Sequence, residues 1–125
     1  MEKIKEIKIL VVDDEQGWRD LLCLELSSES CIVTTALNPS DALSILRREP
    51  FDLVITDVQM PGKLDGIDLI QTWRLENPSQ KAIFITGYAL EEKLDRALEA
   101  GSVMCLRKPF ESQMLMNAIQ TLLGK

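Results

Sequence analysis

Asp57 closes the apolar run Phe51-Asp52-Leu53-Val54-Ile55-Thr56, and it has counterparts elsewhere in the chain. Ile7-Lys8-Ile9-Leu10-Val11-Val12 ends in Asp13-Asp14. Ala82-Ile83-Phe84-Ile85 ends in the hydroxyl of Thr86, and Val103-Met104-Cys105-Leu106 leads to Lys108-Pro109. Carboxylates, a hydroxyl and an ammonium thus occupy one relative place, the C-terminal end of an apolar run. In an open parallel sheet those ends share an edge, and that edge holds the ligand. Carboxylates gathered there repel one another, so one takes a proton or a cation settles among them. Hard oxygen donors with room for water suit Mg²⁺, which prefers one or two carboxylates plus a phosphate. A carboxylate can also attack a phosphoryl group and form an acyl phosphate. Such a transfer needs alignment and charge neutralisation more than covalent assistance. In that chemistry Asp57 is the acceptor. Mg²⁺ and Lys108 cover two phosphoryl oxygens, and Thr86 with nearby backbone N–H groups covers the third.

Each residue also has a plain explanation on its own. Asp13-Asp14-Glu15 could cap the helix that follows. A threonine ending a strand reflects β-propensity, and a lysine before proline is usually solvated. The joint placement is what argues for a site.

The absence of histidine narrows the chemistry further. It removes Ser-His-Asp and Cys-His catalysis, histidine metal sites and any phosphohistidine on this chain. Cys23, Cys31 and Cys105 are odd in number and lack CxxC spacing, so they read as reduced packing residues. A net charge of −6 makes direct nucleic-acid binding a poor expectation. No apolar stretch approaches the roughly 20 residues that span a bilayer. The mixed-charge start, Met1-Glu2-Lys3-Ile4-Lys5-Glu6, precedes no signal-like region, so a cytoplasmic protein without a membrane role is expected.

The elements that must position these residues alternate short β-branched runs with longer amphipathic segments, the pattern of an α/β fold with a parallel sheet. Strands are expected at residues 7–12, 31–36, 53–56, 82–86 and 103–106. Helices are expected at 15–28, from residue 39 onward, and at 66–76, 91–100 and 111–123. The first helix carries Trp18, Leu21, Leu22 and Leu26 at helical spacing. The second starts at the N-cap Asn38 with Pro39 behind it, and its stripe is Ala42, Leu43, Ile45 and Leu46. The fourth stops at Gly101. Strands one, three and four are rich in Ile, Val and Leu without alternation and read as covered on both faces, whereas the more polar second strand fits an edge. One domain over residues 1–125 is expected, with nothing left over for an output module.

Taken together, Val11-Val12-Asp13-Asp14-Glu15, Asp57-Val58-Gln59-Met60-Pro61-Gly62, Ile85-Thr86-Gly87 and Leu106-Arg107-Lys108-Pro109-Phe110 resemble the receiver (phosphoacceptor) domain of two-component response regulators. The resemblance covers essentially the whole chain. It implies a doubly wound, flavodoxin-like sheet of five strands in the order 2-1-3-4-5 with five helices. It implies a phosphorylation-dependent switch, not a turnover enzyme, in which Asp57 takes phosphate from a phosphohistidine on a sensor histidine kinase or phosphotransfer protein. Asp13, Asp14, Asp57 and the backbone carbonyl of Gln59 would bind Mg²⁺, while Thr86 and Lys108 would contact the phosphoryl group. A cis Lys108–Pro109 bond is implied as well. Helix four, strand five and helix five would form the face for targets or a homodimer.

Two departures from the family pattern stand out. The switch aromatic three residues before the lysine is replaced by Cys105, so Thr86 would act with Tyr88 instead. The segment Met60-Pro61-Gly62-Lys63-Leu64-Asp65-Gly66 carries one residue more than usual before its Asp-Gly pair. Two other classes compete with this reading. A haloacid-dehalogenase-type phosphotransferase or phosphatase wants a second acid two residues after the nucleophile, where Gln59 stands. A nucleotide- or flavin-binding module wants a glycine-rich loop after strand one, where the chain is acidic.

Overall fold

The computed structural model describes residues 6–27, 30–87 and 92–124. Among the described residues strands and helices alternate. They are β1 (Ile7–Val12), α1 (Gln16–Leu26), β2 (Cys31–Ala36), α2 (Pro39–Arg48), β3 (Leu53–Asp57), α3 (Gly66–Glu76), β4 (Ala82–Thr86), α4 (Glu92–Glu99), β5 (Val103–Arg107) and α5 (Ser112–Leu123). All pairings are parallel and the order is β2-β1-β3-β4-β5, as expected. From β1 the chain first winds to β2 on one side, then crosses back to β3 on the other. The strand direction of winding therefore reverses between β1 and β3. A crevice opens beyond the carboxyl ends at such a reversal.

The alternation of side chains along each strand divides the core in two. Leu10, Val12, Val54 and Phe84 face α2, α3 and α4, where they meet Leu46, Ile67, Ile70 and Leu94. Ile9, Val11, Leu53, Ile55, Ile83 and Ile85 face α1 and α5 and meet Leu22, Leu26, Leu115 and Ile119. The central strands are therefore covered on both sides. β2 is mostly half-buried or exposed, with only Ala36 buried, as fits an edge strand.

Local chemistry sets the helix starts. The Asn38 side chain accepts from the Asp41 N–H at 2.8 Å, with Pro39 behind it. Asp65 and Asp68 form a reciprocal capping box at the head of α3. Two expectations need correction. α1 is shorter than residues 15–28, and its buried face is Leu22 and Leu26, while Leu21 is 41% exposed. Leu21 and Leu22 are about 100° apart on a helix, so both cannot face the sheet. β3 and β5 each run one residue further than expected, because Asp57 pairs with Ile85 and Arg107 with Thr86. The three cysteines are free and partly buried, and Cys105 and Cys31 pack against the two cores, as expected of reduced packing residues.

Candidate functional site

The register of the sheet brings the acids together. Val12 lies opposite Thr56, so Asp13 follows directly alongside Asp57. Asp13 is 1% exposed and Asp57 7%, whereas Asp14 and Glu15 are exposed at the rim. One carboxylate oxygen from each of Asp13, Asp14, Glu15 and Asp57 can be chosen so that all lie within 4.8 Å of one another. Oxygens around Mg²⁺ at about 2.1 Å stand about 3 Å apart on an edge and about 4 Å across the shell. The donor set is hard, anionic and close to that spacing, so it fits a divalent cation. None of these acids caps α1, whose N-cap Glu15 has no side-chain capping bond. Asp13 instead uses one oxygen to accept from the Glu15 N–H at 2.9 Å, and its backbone carbonyl accepts from Arg19 at 2.7 Å.

Lys108 supplies the positive charge. Its Nζ stands 3.3 Å from Asp13 Oδ2 and 3.3 Å from Asp57 Oδ2, with the side chain 11% exposed. The same nitrogen lies 4.5 Å from the centre of the Trp18 ring. Trp18 in turn stacks obliquely on Phe110, with centroids 5.7 Å apart. The Lys108 N–H donates to the Thr86 carbonyl at 2.8 Å, which ties this segment to the end of β4. The Lys108–Pro109 bond is cis.

Burial pushes the Asp57 carboxyl above its ordinary range, Lys108 pulls it back, Asp13 raises it again, and the Gln59 N–H at 3.2 Å lowers it. Asp57 is thus a partly desolvated acid whose charge asks for more positive partners than Lys108 alone supplies. Its backbone is held as tightly as its side chain. The Thr56 hydroxyl donates to the Asp57 carbonyl at 2.9 Å, and Gly66, the first residue of α3, packs directly on that carbonyl.

Above these groups opens a cleft of about 670 Å³, lined by Asp14, Asp57, Gln59, Gly87 and Lys108 among others. Thr86 does not line it. The side chain is buried at the end of β4, and Gly87 forms the wall. Cys105 lies opposite Phe84 in the sheet, half-buried beneath α4, and burial raises its thiol pKa. Tyr88 lies outside the described residues.

The chain matches the model of the response regulator receiver domain over residues 9–120. It belongs to that family. A 14.6 kDa protein encoded in the sodA1 3′ region of Leptolyngbya boryana is 42% identical over 123 residues, covering 96% of this chain and 92% of the relative. The response regulator PilR of Pseudomonas aeruginosa is 35% identical over 93% of this chain, which spans only 26% of PilR. Among solved structures, a CheY-like receiver domain from Methanospirillum hungatei superimposes with a TM-score of 0.87 at 28% identity, covering 96% of this chain and 95% of that one. Receiver domains act as signalling switches in two-component systems and interact with histidine kinases and phosphotransfer proteins. The haloacid-dehalogenase alternative finds no support.

Sequence reasoning underrated three residues at this receiver site. Glu15 was legible only as a cap, yet it joins the acid cluster. Trp18 read as a packing aromatic, and its contact with Lys108 spans most of the chain. Gly66 read as a helix start, and no local signal reveals which backbone would press on it. Among the described residues no helix is long and apolar enough to cross a membrane.

Proposed function

We propose that the whole chain, residues 1–125, is one receiver unit in which Asp57 is the phosphoacceptor. Asp13, Asp14, Asp57 and the Gln59 carbonyl hold Mg²⁺, with Glu15 at the rim. The observation that supports this most is the convergence of Asp13, Asp14, Asp57 and Lys108 at one sheet edge, where a cation fits among the acids.

A carboxylate oxygen of Asp57 forms the new P–O bond as the P–N bond of a kinase or phosphotransfer phosphohistidine breaks. Mg²⁺, when bound, supplies charge neutralisation at the phosphoryl oxygens. Lys108 neutralises a second oxygen, and its ammonium already lies against Asp57. The Thr86 hydroxyl serves the third oxygen and must come forward from its buried place to do so. That movement, propagated past Cys105 and Tyr88 to α4 and β5, is the proposed switch. The same self-catalysed chemistry lets water remove the phosphoryl group.

The α4–β5–α5 face is the proposed surface for a target or a second copy of the domain. A net charge of −6 argues against nucleic acid as the direct partner. The free, half-buried thiols fit a reducing compartment, and the cytoplasm is proposed.

Incubation with acetyl phosphate and Mg²⁺, followed by intact-mass measurement, tests the assignment. A labile single-phosphate adduct is expected on wild type and none on Asp57→Asn. An adduct that persists in Asp57→Asn overturns the acceptor assignment.

A further inference from the structure

Among the described residues the Lys108 ammonium is flanked by two carboxylates and one aromatic face. The carboxylates of Asp13 and Asp57 each lie at 3.3 Å, just beyond the usual range of a charge-assisted N–H···O bond. The third neighbour is the face of Trp18, 4.5 Å from Nζ and well inside cation–π range. Trp18 also stacks on Phe110, two residues beyond Lys108. A single indole in the first turn of α1 therefore touches both ends of Lys108-Pro109-Phe110.

The two kinds of contact respond differently to ligands. Asp13 and Asp57 are the oxygens that a metal ion and a phosphoryl group would claim. An ammonium positioned by them alone would lose its supports on loading. An aromatic face does not compete for a hard cation, so its hold on Lys108 persists when the carboxylates are engaged.

We infer that Trp18 is a positioning residue for phosphoryl transfer, keeping the Lys108 ammonium aimed into the cleft while Asp13 and Asp57 are occupied. The role rests on the phosphoacceptor reading above. Trp18 itself touches no reacting atom. Simple packing accounts poorly for its placement, because its ring is only half-buried and the buried face of α1 is supplied by Leu22 and Leu26.

Two measurements on the intact chain decide the matter. In a ¹H–¹³C spectrum, the Lys108 ε-methylene, assigned by its loss in Lys108→Met, should be shifted upfield by the indole ring current. The shift should vanish in Trp18→Leu and be smaller in Trp18→Phe, with and without beryllofluoride and Mg²⁺. Acetyl phosphate labelling, followed by intact mass, should be slowed about 3- to 10-fold in Trp18→Leu, the usual scale of a lost cation–π contact. Trp18→Phe should recover most of that rate.

An unshifted methylene in wild type overturns the contact. A shift that disappears on adding beryllofluoride and Mg²⁺ overturns its persistence. Equal labelling rates in wild type and Trp18→Leu overturn the positioning role while leaving Asp57 as acceptor. Failure of wild type to label overturns both readings. If Trp18→Leu does not fold, the comparison of Trp18→Phe with wild type carries the test, and equal rates together with equal shifts overturn it.

Discussion

A Cβ on Gly66 would collide with the backbone carbonyl of Asp57 and lie 2.9 Å from the Thr56 hydroxyl. The first residue of α3 is thus pressed against the backbone of the candidate phosphoacceptor. The Gly66 N–H donates to the Val58 carbonyl at 2.9 Å, which fixes the approach. The close contact demands glycine for lack of space, since Gly66 is not among the glycines with positive φ.

Gly66→Ala separates two effects of opposite sign. Helix propensity alone favours alanine by about 0.5–1 kcal/mol. Collision with a backbone that cannot swing aside costs about 1–3 kcal/mol. Net destabilisation in urea denaturation is expected, along with displaced amide resonances at Asp57 and Val58. A variant as stable as wild type would mean that α3 slides away easily and does not brace the site.

Charge at Asp57 is predicted to cost stability. Burial, the largest influence on its carboxyl, raises the folded-state pKa above the unfolded value. Between those two values the folded state binds more protons, so stability falls as pH rises through this window. Above it the cost is fully present, and below it the cost is gone. Asp57→Asn should therefore melt higher than wild type at neutral pH, by about 2–5 °C in a domain of this size. The gap should close as the solution is acidified into the range where carboxylates protonate. Added Mg²⁺ should raise wild type and leave the variant nearly unmoved. A variant that melts lower at neutral pH contradicts the assigned sign.

Much of this geometry is legible in the sequence. The runs ending at Asp13, Asp57 and Thr86 pack as neighbouring strands because segments rich in Ile, Val and Leu suit burial on both faces. Asn38-Pro39 and Asp65 announce their helices through capping chemistry that acts within four residues. Adjacent leucines were ambiguous. Leu21 and Leu22 both fit a loose helical stripe, and only the docking of α1 on the sheet selects Leu22. Contacts such as Trp18 with Lys108, or Gly66 with the Asp57 carbonyl, join residues far apart in sequence or depend on how a loop returns. No propensity or spacing rule carries that information.

Lys93 ties α4 to α3. Its ammonium lies 2.9 Å from Asp65 and 2.8 Å from Asp68, so one side chain of α4 grips the capping box of α3. The hydrogen bond from Lys93, followed by that from the Asp65 N–H, lowers the Asp68 pKa, and the same pairing raises that of Lys93. The depressed acid stabilises the fold above its ordinary range, and this contribution is lost as pH falls through the lowered value. The Lys93 side chain is 42% exposed, so solvent screens the pair and its net worth is about 0.5–1 kcal/mol. Lys93→Met should therefore barely change global stability, yet it removes a tether that α4, a short helix of eight residues, has to α3. Hydrogen exchange should quicken across Glu92–Glu99 by about 3- to 5-fold, as local opening of that size requires, while amides of β1 and β3 stay unchanged. High salt should produce part of the same effect in wild type. Unaltered exchange in α4 would mean that its packing through Leu94 and Ala97 alone holds it in place.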